Sequence, residues 1–104
     1  MDRIAKQIVQ ELKKSISERY TLNEMKIFGS TVTGKRRKDS DIDVFVLLPK
    51  VNREIEEDLF DIAYDLELKY DCLIDLIVFD EKAINGKLGT TPIYQKVLRE
   101  GMPV

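Results

Sequence analysis

The sequence predicts a small α/β protein, a mixed sheet of three to four strands packed with helices. Apolar residues recur at helical spacing near the start of the chain and again after Asn52. Short β-branched and apolar runs, each the length of a strand, lie between and after those segments. The predicted order is helix, strand, strand, helix, strand, helix. No repeat, low-complexity tract or linker interrupts it, so residues 1–104 are expected to form a single domain.

Ile4, Ile8, Leu12 and Ile16 recur every fourth residue with Val9 beside them, which predicts a helix from Asp2, as N-cap, to about Arg19. Met25 to Phe28 reads as a short strand running into Gly29, and Asp41 to Leu48 as a second strand stopped by Pro49. Asn52 is a good N-cap for a helix whose first turns carry Glu54, Glu56, Glu57 and Asp58. Its buried face would be Ile55, Leu59, Ile62, Ala63, Leu66 and Tyr70. Leu73 to Phe79 is the third strand, and Asn85-Gly86 with Gly89 marks a loop. Thr91-Pro92 then opens a final helix that should stop at Gly101 in a left-handed cap.

Composition excludes much chemistry. Hydrophobic residues at 43% and charged residues at 35% suit a folded globule rather than a disordered chain. A net charge of -2 disfavours long nucleic acid as a partner. With no histidine, imidazole catalysis, Ser–His–Asp triads and most zinc sites are ruled out. A metal here must be held by oxygen, which points to magnesium, calcium or manganese. The lone Cys72 fits a reducing compartment and reads as a small apolar residue of the core. The N-terminal segment has no apolar signal region and nothing approaches a membrane span, so the expected location is cytoplasmic, with no membrane partner.

Two readings compete for the stretch FGSTVTGKRRKDSDIDVFV, from Phe28 to Val46. Gly29, four residues, then Gly34 and Lys35 nearly spell a P-loop. That reading fails after the lysine. Arg36 cannot ligate magnesium, and Arg37-Lys38-Asp39-Ser40 leads into a strand where a P-loop opens a helix.

The second half of the stretch carries the stronger signal. Asp41 and Asp43 are two apart on a predicted strand, so they leave one face while Ile42, Val44 and Val46 point into a core. Adjacent carboxylates repel, and one or two divalent cations are the natural neutraliser. Asp75 lies inside the apolar run CLIDLIVF, where a charge is costly unless paired or metal-bound. If the strands bearing Asp43 and Asp75 are neighbours, three carboxylates converge at one edge of the sheet. Gly29-Ser30, at the end of the first strand, can present backbone N–H groups and a hydroxyl to a phosphate. Each feature has a bland alternative. The aspartate pair can be a solvated strand end, Asp75 a strand-edge charge paired with a lysine, Gly29 and Gly34 turn residues, and Lys35 to Lys38 a solvated loop. It is their occurrence together, in this order, that favours the functional reading.

Gly29-Ser30, three residues, Gly34, five residues, then Ser40-Asp41-Ile42-Asp43 resembles the signature of the DNA polymerase β-like nucleotidyltransferase superfamily, above all its minimal nucleotidyltransferase (MNT) domains. The likeness extends to the leading helix, the acidic third strand and the closing PIYQKVLREG segment. The resemblance implies that Asp41 and Asp43 bind the Mg2+ ions (two are expected) carrying a nucleoside triphosphate, and that Asp75 is the third metal-binding carboxylate. It implies that Gly29 and Ser30 hold the phosphates, with Ser40 bracing the turn into the acid pair and within reach of a phosphate. The implied reaction is attack of a hydroxyl on the α-phosphorus, with AMP from ATP the favoured donor.

Larger members of the superfamily it resembles carry acceptor-binding domains, which a chain of 104 residues is not expected to hold. Small members are commonly paired with a helical HEPN protein as the antitoxin of a toxin–antitoxin pair, which implies a HEPN-type partner and a hydroxyl on it as acceptor. Two alternatives stand beside this reading. One is a binding antitoxin that works by covering its partner, suggested by apolar residues expected to be exposed on the final helix (Ile93, Val97, Leu98). The other is a transferase acting on a small molecule of aminoglycoside type. The sequence leaves homo-oligomerisation open.

Overall fold

The structure is a computed structural model that describes residues 3–33 and 41–104. The proposed N-cap Asp2, and Gly34, Lys35 to Lys38 and Ser40 of the glycine-to-aspartate loop, lie outside the described residues, and so do the side chains of Ser30 and Thr33.

Among the described residues the helices are α1 (Arg3–Arg19), α2 (Ser30–Thr33), α3 (Arg53–Tyr70), α4 (Glu81–Ile84) and α5 (Pro92–Glu100). The strands are β1 (Glu24–Ile27), β2 (Ile42–Leu48), β3 (Ile74–Asp80) and β4 (Met102–Pro103). The six expected elements are present with ends shifted by a residue or so, and two short helices, a 3-10 turn over Lys87–Thr90 and the edge strand β4 join them. The sheet order is β3-β2-β1-β4. β1 pairs antiparallel with β2 and with β4, while β2 pairs parallel with β3, so the sheet is mixed. The parallel pair requires a crossover, and α3 supplies it.

α1 and α3 cover one face of the sheet. Ala5, Ile8, Val9, Leu12 and Ile16 of α1 pack with Leu59, Ile62, Ala63 and Leu66 of α3 against Ile42, Val44, Val46 and Leu48. The inward stripe of α1 differs from expectation at its start: Ile4 is 59% exposed and Ala5 takes the buried place. Ile55 and Tyr70 of α3 and Cys72 after it sit half-buried at the border of this core. Asn52 caps α3 as its sequence position predicts, accepting a hydrogen bond from the Ile55 N–H at 2.8 Å.

The second face carries its own core, which the sequence reading did not anticipate. Phe28, Phe45, Leu47 and Val97 are buried together, bordered by Ile77, Phe79, Ile84 and Tyr94. The Phe45 ring meets Phe79 edge-on at 5.6 Å between centroids and Tyr94 at 5.8 Å. Val97, expected on the exposed side of the final helix, is 1% exposed because α5 packs on this face. The apolar surface left on α5 is Ile93 and Leu98. The expected loop around Asn85 and Gly89 is likewise structured, with α4 capped by Asp80 and continued by the 3-10 turn.

The end of α5 differs too. Gly101 has φ -68, so the cap is extended rather than left-handed. A Cβ there would lie 2.3 Å from the Val97 carbonyl oxygen, so crowding and not φ excludes a side chain. The left-handed cap belongs to α3, at Asp71 with φ 50.

Phe45 is fully buried and tests the second core. Phe45→Ala should cost about 3–5 kcal/mol, from lost transfer energy and the cavity left behind. Urea unfolding measures it, and a cost below about 1 kcal/mol would mean that α5 does not pack on this face in solution.

Candidate active site

β2 is buried on both faces along nearly its whole length, which makes its one half-buried polar residue, Asp43, conspicuous. The strand alternates as expected. Ile42, Val44, Val46 and Leu48 enter the core under α1 and α3, while Phe45 and Leu47 share the opposite face with Asp43. Carboxylate and aromatic core therefore lie along one face, with Asp43 at the rim of the apolar cluster.

The parallel register places Asp43 directly opposite Asp75, next to Phe45 opposite Ile77. Paired residues on neighbouring strands stand about 4.8 Å apart and point to the same side. Exposed Asp41 precedes β2 by one residue, and exposed Asp75 sits on the edge strand. The apolar run around Asp75 thus does not bury its charge: the side chain opens to solvent beside Asp43.

The three groups share an electrostatic field. Burial, then the Asp75 carboxylate, then Asp41 hold the Asp43 carboxyl above its ordinary range, while Lys96 on α5 pulls it the other way. None of the three aspartates is ion-paired with a lysine or arginine of the described residues. Nor, among those residues, do three acidic side chains already close on one point at metal-holding distance. The strands bring the backbones together, and rotation of exposed side chains remains to complete a ligand set. The donors are hard oxygens only, carrying net negative charge around a partly desolvated carboxylate. This set fits Mg2+ or another hard divalent cation.

Gly29 adjoins this carboxylate. Its φ is +63, and a Cβ built on it would lie 2.7 Å from Asp43 Oδ2. The chain turns there from β1 into α2, with the Val32 N–H bonded to the Gly29 carbonyl at 3.1 Å. The backbone of Gly29 and Ser30 thus stands beside Asp43, and Ser40 lies outside the described residues.

Two residues here were missed from the sequence. Thr31 is buried, and its Oγ1 accepts a hydrogen bond from the Asp43 N–H at 3.0 Å. The available signal was a hydroxyl inside a glycine-bounded turn, beside Ser30. Lys96 acts on Asp43 through space from a distant helix, and only the packing of α5 reveals it.

Comparison with known proteins bears on the family and the fold. A family model described as a nucleotidyltransferase domain matches residues 9–99. A Methanocaldococcus jannaschii protein named "Putative protein adenylyltransferase" is 33% identical over 76 residues, covering 70% of this chain and 77% of the relative. Among solved structures, a toxin–antitoxin with AMP-PNP superposes with TM-score 0.66 at 21% identity, covering 90% of this chain and 69% of that one. A tri-AMPylated Shewanella oneidensis HEPN toxin in complex with MNT antitoxin gives 0.62 at 19% identity, covering 99% and 71%. At these identities the solved structures are similar in fold. No helix among the described residues is long and apolar enough to cross a membrane.

Proposed function

The chain belongs to the nucleotidyltransferase domain family, and on that premise we propose that it transfers AMP from ATP, with Mg2+, onto a hydroxyl of a partner protein. The observation that carries the proposal is the register pair Asp43 and Asp75 on one sheet face beside Gly29. Asp41, Asp43 and Asp75 would hold the metal, which supplies charge neutralisation and polarisation of the triphosphate. Gly29 and Ser30, with Ser40, would hold phosphate oxygens through backbone N–H and hydroxyl groups.

In this reading the acceptor oxygen attacks the α-phosphorus, the bond between the α-phosphorus and its bridging oxygen breaks, and pyrophosphate leaves. Asp75, open to solvent on the edge strand, faces the incoming acceptor and takes the hydroxyl proton. Phe45, two residues along the same face of β2, joins Asp43 to the aromatic cluster that α5 covers. Positioning and electrostatics carry the catalysis, with no covalent enzyme intermediate.

The acceptor class rests on the relatives. One solved neighbour is an AMPylated HEPN toxin with its MNT antitoxin, and another contains AMP-PNP. We infer a helical HEPN-type partner and an antitoxin role for this chain. Label transfer tests the proposal: the pure protein is incubated with Mg2+, α-labelled ATP and host lysate, beside an Asp43→Ala control. A labelled protein band, absent in the control, is the expected result. A label found only on small molecules would overturn the protein acceptor. No label at all, from a protein that still neutralises its partner, would identify a binding antitoxin.

A further inference from the structure

We propose that Thr31 is a positioning residue for Asp43, its hydroxyl replacing the backbone acceptor that β1 withdraws when it turns at Gly29. The proposal rests on the reading of Asp43 as a metal ligand. In an antiparallel ladder, hydrogen-bonded partners exchange two N–H···O bonds. β1 and β2 are paired from Glu24 with Leu47 to Ile27 with Val44. One step further, the Phe28 N–H donates to the Asp43 carbonyl at 3.3 Å. The return bond goes elsewhere: the Asp43 N–H donates to Thr31 Oγ1 at 3.0 Å.

The ladder is thus completed by a side chain at the residue that carries the carboxylate. With its N–H and C=O both fixed on the β1 side, Asp43 keeps only side-chain torsions to adjust, and Gly29 lies against its Oδ2. Among the described residues Thr31 is the only polar residue that is fully buried, at 1% exposure. Burying a hydroxyl is unfavourable unless it is hydrogen-bonded, so its place here calls for a partner, and that partner is Asp43. The same turn carries Gly29 and Ser30. Thr31 therefore ties the turn that carries Gly29 and Ser30 to the backbone of the residue that bears the carboxylate, one bond removed from the partners that usually orient metal ligands.

The test measures Mn2+ binding by electron paramagnetic resonance in the presence of the non-transferable analogue α,β-methylene ATP. Thr31→Val keeps the shape and removes the acceptor, and should weaken Mn2+ binding about 10- to 100-fold. Thr31→Ser keeps the hydroxyl and should retain most of the affinity. Thr31→Cys supplies a weaker acceptor of similar size and should fall between them. A role in folding alone would not order Mn2+ affinity by acceptor strength, and urea unfolding without metal serves as the control. If Thr31→Val fails to fold, the Ser and Cys variants decide: equal affinities overturn the proposal. Native Mn2+ affinity in a folded Thr31→Val protein also overturns it. An Asp43→Ala control separates the two readings. If Asp43→Ala loses the metal while Thr31→Val keeps it, only the role of Thr31 fails. If Asp43→Ala binds like the native protein, the metal-site reading fails as well.

Discussion

Asp43→Ala is expected to lower nucleotidyl transfer by about a thousandfold or more while leaving the fold intact, since losing a metal ligand removes several kcal/mol of transition-state stabilisation. The same site predicts an opposite effect on stability. Burial and the Asp75 and Asp41 carboxylates raise the Asp43 pKa above the ordinary 3.8. A raised carboxyl pKa means that the native state binds more protons than the unfolded one between the two values. Stability therefore falls as pH rises through that window, and above it the whole penalty of the buried charge remains. Without metal, Asp43→Asn should melt higher than the native protein at neutral pH, with the gain shrinking as the pH approaches 3.8. Added Mg2+ should stabilise the native protein and not the Asn variant. Thermal melts across pH, with and without Mg2+, beside the label-transfer assay, measure both effects. A fully active Asp43→Ala protein, or an Asn variant less stable than native at neutral pH without metal, would contradict this account of the site.

How far the sequence disclosed the fold and the site follows the range of the forces involved. Helical periodicity and capping are local, so α1, α3 and α5 and the Asn52 cap could be read directly. Spacing on one strand is also local, and it placed Asp43 on the face opposite Ile42, Val44 and Val46, whereas Asp41, expected on the same strand, lies one residue before β2. The pairing of Asp43 with Asp75 depends on which strands are neighbours and in what register, which the 31 residues of intervening chain do not disclose. The second core was hidden for a similar reason. Phe45 and Leu47 look like ordinary strand residues until α5 folds back over them, and that packing turns Val97 inward and brings Lys96 toward Asp43. Gly101 was rightly read as the end of α5 but for the wrong reason, because the closeness of the Val97 carbonyl cannot be seen in the sequence. Thr31 escaped because its partner is the backbone of a residue on another strand.

Gly29 should be the residue at which fold and chemistry are hardest to separate, and two substitutions separate them. Gly29→Ala forces a β-carbon onto a backbone at φ +63 and places it 2.7 Å from Asp43 Oδ2. The left-handed conformation costs an ordinary L-residue about 1–2 kcal/mol, which urea unfolding should show. The carboxylate must also move aside, and a misplacement near 1 Å at a reacting centre costs about 100-fold in rate. Gly29→Asn isolates the second effect. Asparagine tolerates the left-handed region better than alanine, so its stability loss should be smaller. Its β-carbon occupies the same place, so its loss of transfer should be at least as large as that of alanine. The decisive comparison is therefore the ranking of the two variants in two assays. If Gly29→Asn recovered transfer together with stability, glycine would be required at position 29 for its backbone alone, and its contact with Asp43 would play no part in catalysis.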